Sequence, residues 1–130
     1  MNRLALALSL IACTFSALAD CETNATIGQI EQSRQKMLDD PNRFDRTEAA
    51  DVEVISIRND DESIVIGNFT QERHPAHPAF VISAIYEHEG KVWVYHQGFT
   101  AGDCEVFQTW LEAFGERDRE LQRMYEQHGS

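Results

Sequence analysis

Basic residues are scarce in this sequence, which has 11 Lys and Arg residues against 22 Asp and Glu and a net charge of −11 at pH 7. Proteins that bind nucleic acid need clusters of Lys and Arg to neutralise phosphates. So acidic a chain is a poor candidate for that class. The charge favours a cationic partner, although it is also what solubility alone would require.

Motifs of catalysis are also missing. Ser63, Ser83 and five histidines are present, but no GxSxG element or comparable frame holds a nucleophile beside a base. There is no CxxC pair, no internal repeat and no low-complexity tract. We therefore expect no enzymatic activity and no cofactor.

Long apolar runs are absent except near the amino terminus. Arg3 precedes an apolar run over residues 4–15, which the small-residue pattern Ala17-Leu18-Ala19 follows. This is the pattern of a secretory signal peptide, cut before Asp20. The run is too short for a membrane span, which needs about 20 apolar residues. The sequence predicts a signal peptide over residues 1–19, one domain over residues 20–130 without a membrane span, and a periplasmic or secreted location.

Cysteine is limited to three residues. Cleavage would leave Cys21 and Cys104, an even pair that an oxidising compartment favours joining as a disulfide. Such a bond would close a loop of about 83 residues and stabilise the fold by roughly 4 kcal/mol. A second interpretation is that Leu10-Ile11-Ala12-Cys13 resembles a lipobox, which would make Cys13 a lipid anchor.

Two stretches have helical periodicity. The first would begin after the cap residue Thr26 and end before Pro41, with a sparse apolar stripe. The second covers residues 103–114, where Asp103 is a good cap and four apolar residues fall at i, i+3, i+4 and i+7. These four are Phe107, Trp110, Leu111 and Phe114. Gly115 predicts a break or kink, followed by a more exposed terminal helix.

Four stretches between the helices are rich in β-branched and aromatic residues and predict strands. They are residues 52–57, 63–69, 79–86 and 91–97, with a turn at residues 59–62 between the first two. Residues 42–50 are expected to form a polar connection in which Phe44 could anchor the chain. The prediction is an α+β fold of order α-β-β-β-β-α: a four-stranded antiparallel sheet of two hairpins, one disulfide, and two helices side by side on one face.

The turn around Glu89-Gly90 leaves the register of the second hairpin open. A type I turn with Gly90 in the left-handed conformation would pair Glu87 with Lys91, whereas a two-residue turn would group Tyr86 with Trp93. In both cases the two faces of this hairpin are largely apolar. We therefore expect it to be central in the sheet or covered by a partner.

His74 and His77 are weak candidates for a metal site, to which His88 and His96 of the next hairpin could add ligands. Their segment, His74-Pro75-Ala76-His77-Pro78, favours extended backbone before each proline. Three residues of polyproline II advance about 9 Å, so the two imidazoles would not converge on one ion. We expect no metal.

Protein recognition accounts best for an exported, acidic domain with a rigid sheet and prominent loops. The hypothesis is an inhibitor or immunity protein that binds a cationic enzyme or toxin in the bacterial envelope. The alternative is a periplasmic accessory domain that binds a small ligand or a metal through the sheet face or the His74/His77 loop. The candidate partner-binding residues are Asp60, Asp61, Glu62, Arg73, His74, His77, Trp93 and Tyr95.

Overall fold

The computed structural model of this chain describes residues 22–128. It contains two helices and five strands in the order α-β-β-β-β-β-α. These are α1 (Ile27–Leu38), β1 (Arg43–Ala49), β2 (Val52–Arg58), β3 (Ile64–Thr70), β4 (Ala79–His88), β5 (Lys91–Thr100) and α2 (Cys104–His128). The predicted signal peptide, Cys13 and Cys21 lie outside the described residues.

The strands form one antiparallel meander in which each strand pairs with the next, so the prediction of four strands was wrong. The additional strand is β1, which was expected to be a polar connection. All seven of its residues are exposed, and Phe44 is no core anchor because it is 54% exposed, with the Arg58 guanidinium 5.2 Å from its ring centroid. Strand β1 exists through its pairing with β2, with a register irregularity between Arg43 and Asp45. A strand exposed on both faces lacks the apolar alternation that identifies strands in a sequence.

The two helices lie on opposite faces of the sheet, which corrects the prediction that they pack side by side. Ile30 and Met37 of α1 pack against Phe80, whereas Phe107 of α2 packs against Val81. Because successive strand residues point to opposite faces, Phe80 and Val81 bring β4 into both cores. The architecture is therefore helix, sheet, helix, in three layers.

Helix α1 covers β2 and β3. Thr26 caps its start, as predicted, and forms a capping box with Gln29. The helix ends at Leu38, before Pro41 as expected. Below it, the rings of Phe69, Phe80 and Phe99 stack across three strands with centroids 4.9 and 4.8 Å apart. These contacts close one apolar core.

Helix α2 runs along β5 on the other face. Asp103 accepts a hydrogen bond from the Val106 amide, which confirms the predicted cap. The predicted stripe contributes Phe107 and Phe114 to the core as buried side chains. The predicted break at Gly115 was wrong, since the helix is continuous to His128. Its hydrogen-bonded turns and its packing on the sheet offset the cost of one helical glycine.

The outer edge of β5 is covered by side-chain amides. Asn24 accepts a hydrogen bond from the Thr100 amide (2.7 Å) and donates to the Gly98 carbonyl (3.0 Å). Gln122 of α2 accepts from the Val94 amide (2.9 Å) and donates to the Val92 carbonyl. Unpaired edge groups invite further strands, so these two residues close one side of the sheet.

A buried carboxylate fixes the opposite side. Glu53 of β2 is 2% exposed and accepts hydrogen bonds from Arg34 of α1 and Arg46 of β1. Burial raises the pKa of the Glu53 carboxyl, but the hydrogen bonds from the two guanidinium groups outweigh this and lower the pKa below its ordinary value. The same contact raises the pKa of Arg34. This cluster joins α1, β1 and β2.

Candidate binding surfaces

The predicted binding residues in the turns and loops lie at two opposite ends of the sheet. The turns β2–β3 and β4–β5 lie at one end, because both follow strands that run in the same direction. The loop β3–β4 lies at the other end. Asp60, Asp61 and Glu62 therefore lie at the same end as the β4–β5 turn, whereas Arg73, His74 and His77 lie at the opposite end.

Three aromatic side chains are exposed on the part of the sheet that α1 leaves uncovered. Tyr86 is 37% exposed, Trp93 43% and Tyr95 51%. Tyr86 pairs directly with Trp93, so the two-residue turn at Glu89-Gly90 is the register that forms, with both turn residues at positive φ. The rings of Tyr86 and Tyr95 meet edge to face, with centroids 5.8 Å apart. We call these three residues the aromatic surface.

Carboxylates border the aromatic surface. Asp61, Tyr86, Glu87 and Tyr95 line the same shallow depression. Asp61 accepts hydrogen bonds from the hydroxyl (2.6 Å) and the amide (3.0 Å) of Ser63, and these bonds lower the pKa of its carboxyl. These bonds hold the Asp61 carboxylate beside the rings, and the lowered pKa favours its charged form.

The loop with His74 and His77 is packed against the protein. His74 accepts a hydrogen bond from the Ala76 amide at Nδ1 and lies against Trp110, with ring centroids 4.8 Å apart. Partial burial lowers the pKa of the His74 imidazole. His77 Nδ1 lies 2.8 Å from the Thr70 hydroxyl. Within residues 22–128 no group of three or more His, Cys, Asp or Glu side chains could hold a metal.

Cys104 stands at the start of α2. Its Sγ lies 3.5 Å from the carbonyl oxygen of Glu22, the residue after Cys21. Since Cys104 is the only cysteine in the described part of the chain, no disulfide is seen between two described residues. The predicted pairing with Cys21 therefore stays a prediction.

His96, which the sequence offered only as a possible further metal ligand, and Asp118, which was not predicted as a site residue, meet between β5 and α2. His96 Nδ1 lies 2.5 Å from Asp118 Oδ2, and Asp118 is 5% exposed. The other carboxylate oxygen, Oδ1, is buried without a hydrogen-bond partner among the described residues, as is Ser83 Oγ. Asp118 falls four residues after Phe114 on the stripe that faces the sheet, a position where a charge is unexpected. A charged residue on the apolar stripe of α2 was therefore the one feature of the sequence that could have identified Asp118 as a site residue.

The pair lines a cleft of about 620 Å³ between the edge of β5 and the carboxyl-terminal half of α2. Lys91, Arg119 and Arg123 line it as well, together with Trp93 and Tyr95. Positive charge thus gathers at one place on an acidic protein.

Comparison of the chain with protein families, curated proteins and solved structures finds no match in any of the three. In the described part of the chain, neither helix has the length and hydropathy of a bilayer-spanning segment.

Proposed function

We propose that this chain is an exported protein-binding module that inhibits or neutralises a cationic enzyme or toxin of the bacterial envelope. The observation that carries the proposal is the aromatic surface, three half-exposed rings on a rigid sheet. Tyr and Trp are the residues that most often anchor protein interfaces, because they bury a large apolar area and still offer a polar group. A cluster of such rings left in water is typical of a surface that a partner covers.

The charge of the turns at this end of the sheet indicates the chemistry of the partner, while Lys91, with its Nζ 5.7 Å from the Trp93 ring centroid, belongs to the side of the rings that faces α2. Asp60, Asp61, Glu62, Glu87 and Glu89 are all exposed at this end of the sheet. Complementary charge at an interface speeds association and disfavours wrong partners. A basic protein surface with an apolar centre would match both features.

Arg73, His74 and His77 are left out of the proposed contact. They lie at the far end of the sheet, and both histidines already use Nδ1 in local hydrogen bonds. The proposal therefore keeps the acidic turn, Trp93 and Tyr95 from the predicted residues and adds Tyr86.

The experiment is capture of a partner by photo-crosslinking in the envelope fraction of the source cells, with the crosslinker at position 87. Three proteins are compared: the wild type, the double variant Tyr86→Ala with Trp93→Ala, and the control Phe44→Ala. Phe44 is an exposed aromatic residue on β1, at the edge of the sheet opposite to β5.

We expect one basic protein that crosslinks to the wild type and to Phe44→Ala, dissociates at raised salt, and is lost with the double variant. Circular dichroism checks that each variant is folded. Loss of the partner's enzymatic or toxic activity on adding the wild type would establish inhibition. Equal crosslinking of the double variant, or no partner at low salt, would show that the aromatic surface is not the interface.

A further inference from the structure

The cleft between β5 and α2 has the features of a ligand site that protein recognition at the aromatic surface does not require. Three of its lining residues, Lys91, Arg119 and Arg123, are cations, and Glu126 is the only acidic residue there besides Asp118. Among the described residues none of these three cations forms an ion pair within 4.0 Å. On a chain with twice as many acidic as basic residues, this is a local reversal of charge.

Two of these cations lie on the same side of α2. Arg119 and Arg123 are four residues apart, so they are neighbours on the same side of α2. Like charges at this spacing destabilise an isolated helix slightly. A bound anion would reverse that effect.

His96 completes the group of donors. Its Nδ1 is held by the buried carboxylate of Asp118, 2.5 Å away, and its Nε2 has no hydrogen-bond partner within residues 22–128. A carboxylate on one ring nitrogen orients the imidazole. Asp118 therefore acts as a positioning residue, and the protonated form of His96 can donate from Nε2 to the cleft.

The size of the cleft and its other residues restrict the ligand. A volume of about 620 Å³ is in the range of small-molecule sites and far exceeds the roughly 30 Å³ that one water occupies in the liquid. Trp93, Val94 and Tyr95 add apolar surface beside the cations. A bare inorganic ion would leave most of this space unfilled.

We propose that the cleft binds a small organic anion, with its carboxylate, sulfonate or phosphate group on Arg119, Arg123 and His96 and its apolar body against β5. The cleft and the proposed protein interface share Trp93 and Tyr95 at their border, whereas Arg119, Arg123 and His96 belong to the cleft alone. The variants that test the cleft change neither the aromatic residues nor the acidic turn, so either proposal can fail alone.

The probe is 1-anilinonaphthalene-8-sulfonate, an aromatic anion whose fluorescence rises in apolar sites, and its uncharged relative N-phenyl-1-naphthylamine is the comparison. The test variant is Arg119→Gln with Arg123→Gln. The control is Arg73→Gln with Arg117→Gln, which changes the net charge equally outside the cleft.

We expect saturable binding of the sulfonate at one site, unchanged in the control and weakened about tenfold in the test variant by the loss of two charge-assisted contacts. The uncharged relative should bind both variants alike. Amide shifts of the wild type in an NMR titration should centre on His96, Gly115 and Arg119, which needs no substitution. Equal affinity of the two variants, or shifts centred on Tyr86, would overturn the proposal.

Discussion

Glu53 and Asp118 are both carboxylates that the fold removes almost completely from water, but they differ in how many of their oxygens are hydrogen-bonded. Both oxygens of Glu53 accept hydrogen bonds from arginines, one on α1 and one on β1. Asp118 has one partner, His96, and keeps one oxygen without any among the described residues. The first joins three elements of the scaffold, whereas the second lines a cleft.

We propose that this difference separates a carboxylate with a structural role, Glu53, from one that serves a ligand site, Asp118. A buried ion is costly unless charged partners and hydrogen bonds compensate it. Glu53 meets this condition, so its ionised form belongs to the native state. Asp118 meets it only in part, and incompletely satisfied buried groups concentrate where a site needs a particular charge or orientation. Four changes test this distinction, from the largest expected effect to the smallest.

Glu53→Gln should be the most destabilising. The substituted amide would place its own donors or a weaker acceptor against two guanidinium groups, which lose their counter-charge. Breaking a buried ion pair costs about 3–5 kcal/mol, but Arg34 and Arg46 are each about a third exposed and regain some hydration. We expect a loss of about 2–3 kcal/mol in the free energy of unfolding by urea. Glu48→Gln, an exposed partner of Arg46, should cost less than about 0.5 kcal/mol.

Low pH should remove the difference in unfolding free energy between the wild type and Glu53→Gln. The pKa of Glu53 is lower in the folded protein than its ordinary value of 4.5, so its contribution is fully present above about pH 4.5 and is lost as pH falls through the folded pKa. The unfolding free energies of the wild type and Glu53→Gln should therefore converge below pH 4.5. A gap that stayed constant down to pH 2 would mean that Glu53 is not the ionised partner of the arginines.

Much of the fold follows from local signals, because its decisive contacts are close in sequence. The cap residues Thr26 and Asp103, the stripe on α2 and the strands β2 to β5 were all predicted from periodicity and turn residues. Strand β1 could not be, because its seven exposed residues carry no pattern and depend on pairing with β2. The opposite placement of the helices depends on which face of β4 each one covers, and periodicity alone does not specify this.

Some residues of the candidate surfaces could likewise be predicted from the sequence, and others could not. Trp93 and Tyr95 were expected to matter because both faces of the hairpin are apolar. Glu53 and Asp118 were missed, although each stands at an inward position, Glu53 two residues before Ile55 and Asp118 four after Phe114. Within a run as charged as residues 116–120, an acidic residue is ordinarily solvated. The burial of Asp118 depends on its contact with His96, which is 22 residues away in the sequence.

Asp118→Asn should cost much less than the change at Glu53. An asparagine oxygen can still accept a hydrogen bond from His96 Nδ1, and one buried polar atom stays without a partner among the described residues, an amide nitrogen in place of Oδ1. We expect a loss of about 1 kcal/mol or less in urea unfolding, accompanied by weaker binding of the aromatic sulfonate because the carboxylate no longer holds the His96 ring in place. If the free energy of unfolding fell by as much as in Glu53→Gln, Asp118 would have the same structural role as Glu53.

Gly115→Ala should have the smallest effect on stability and the opposite sign. An added Cβ would lie 3.5 Å from His96 Cε1 and 3.8 Å from an Arg119 nitrogen, ordinary contact distances. Alanine favours a helix interior over glycine by up to about 1 kcal/mol, so a gain of about 0.5 kcal/mol in the free energy of unfolding is expected. The same methyl group would occupy the cleft beside His96 and weaken the sulfonate probe. Gly28→Ala, with only a Thr26 atom at 3.9 Å, should stabilise α1 without changing the probe's affinity. If both variants gained stability and both bound the probe as the wild type does, the glycine in α2 would have no part in a ligand site.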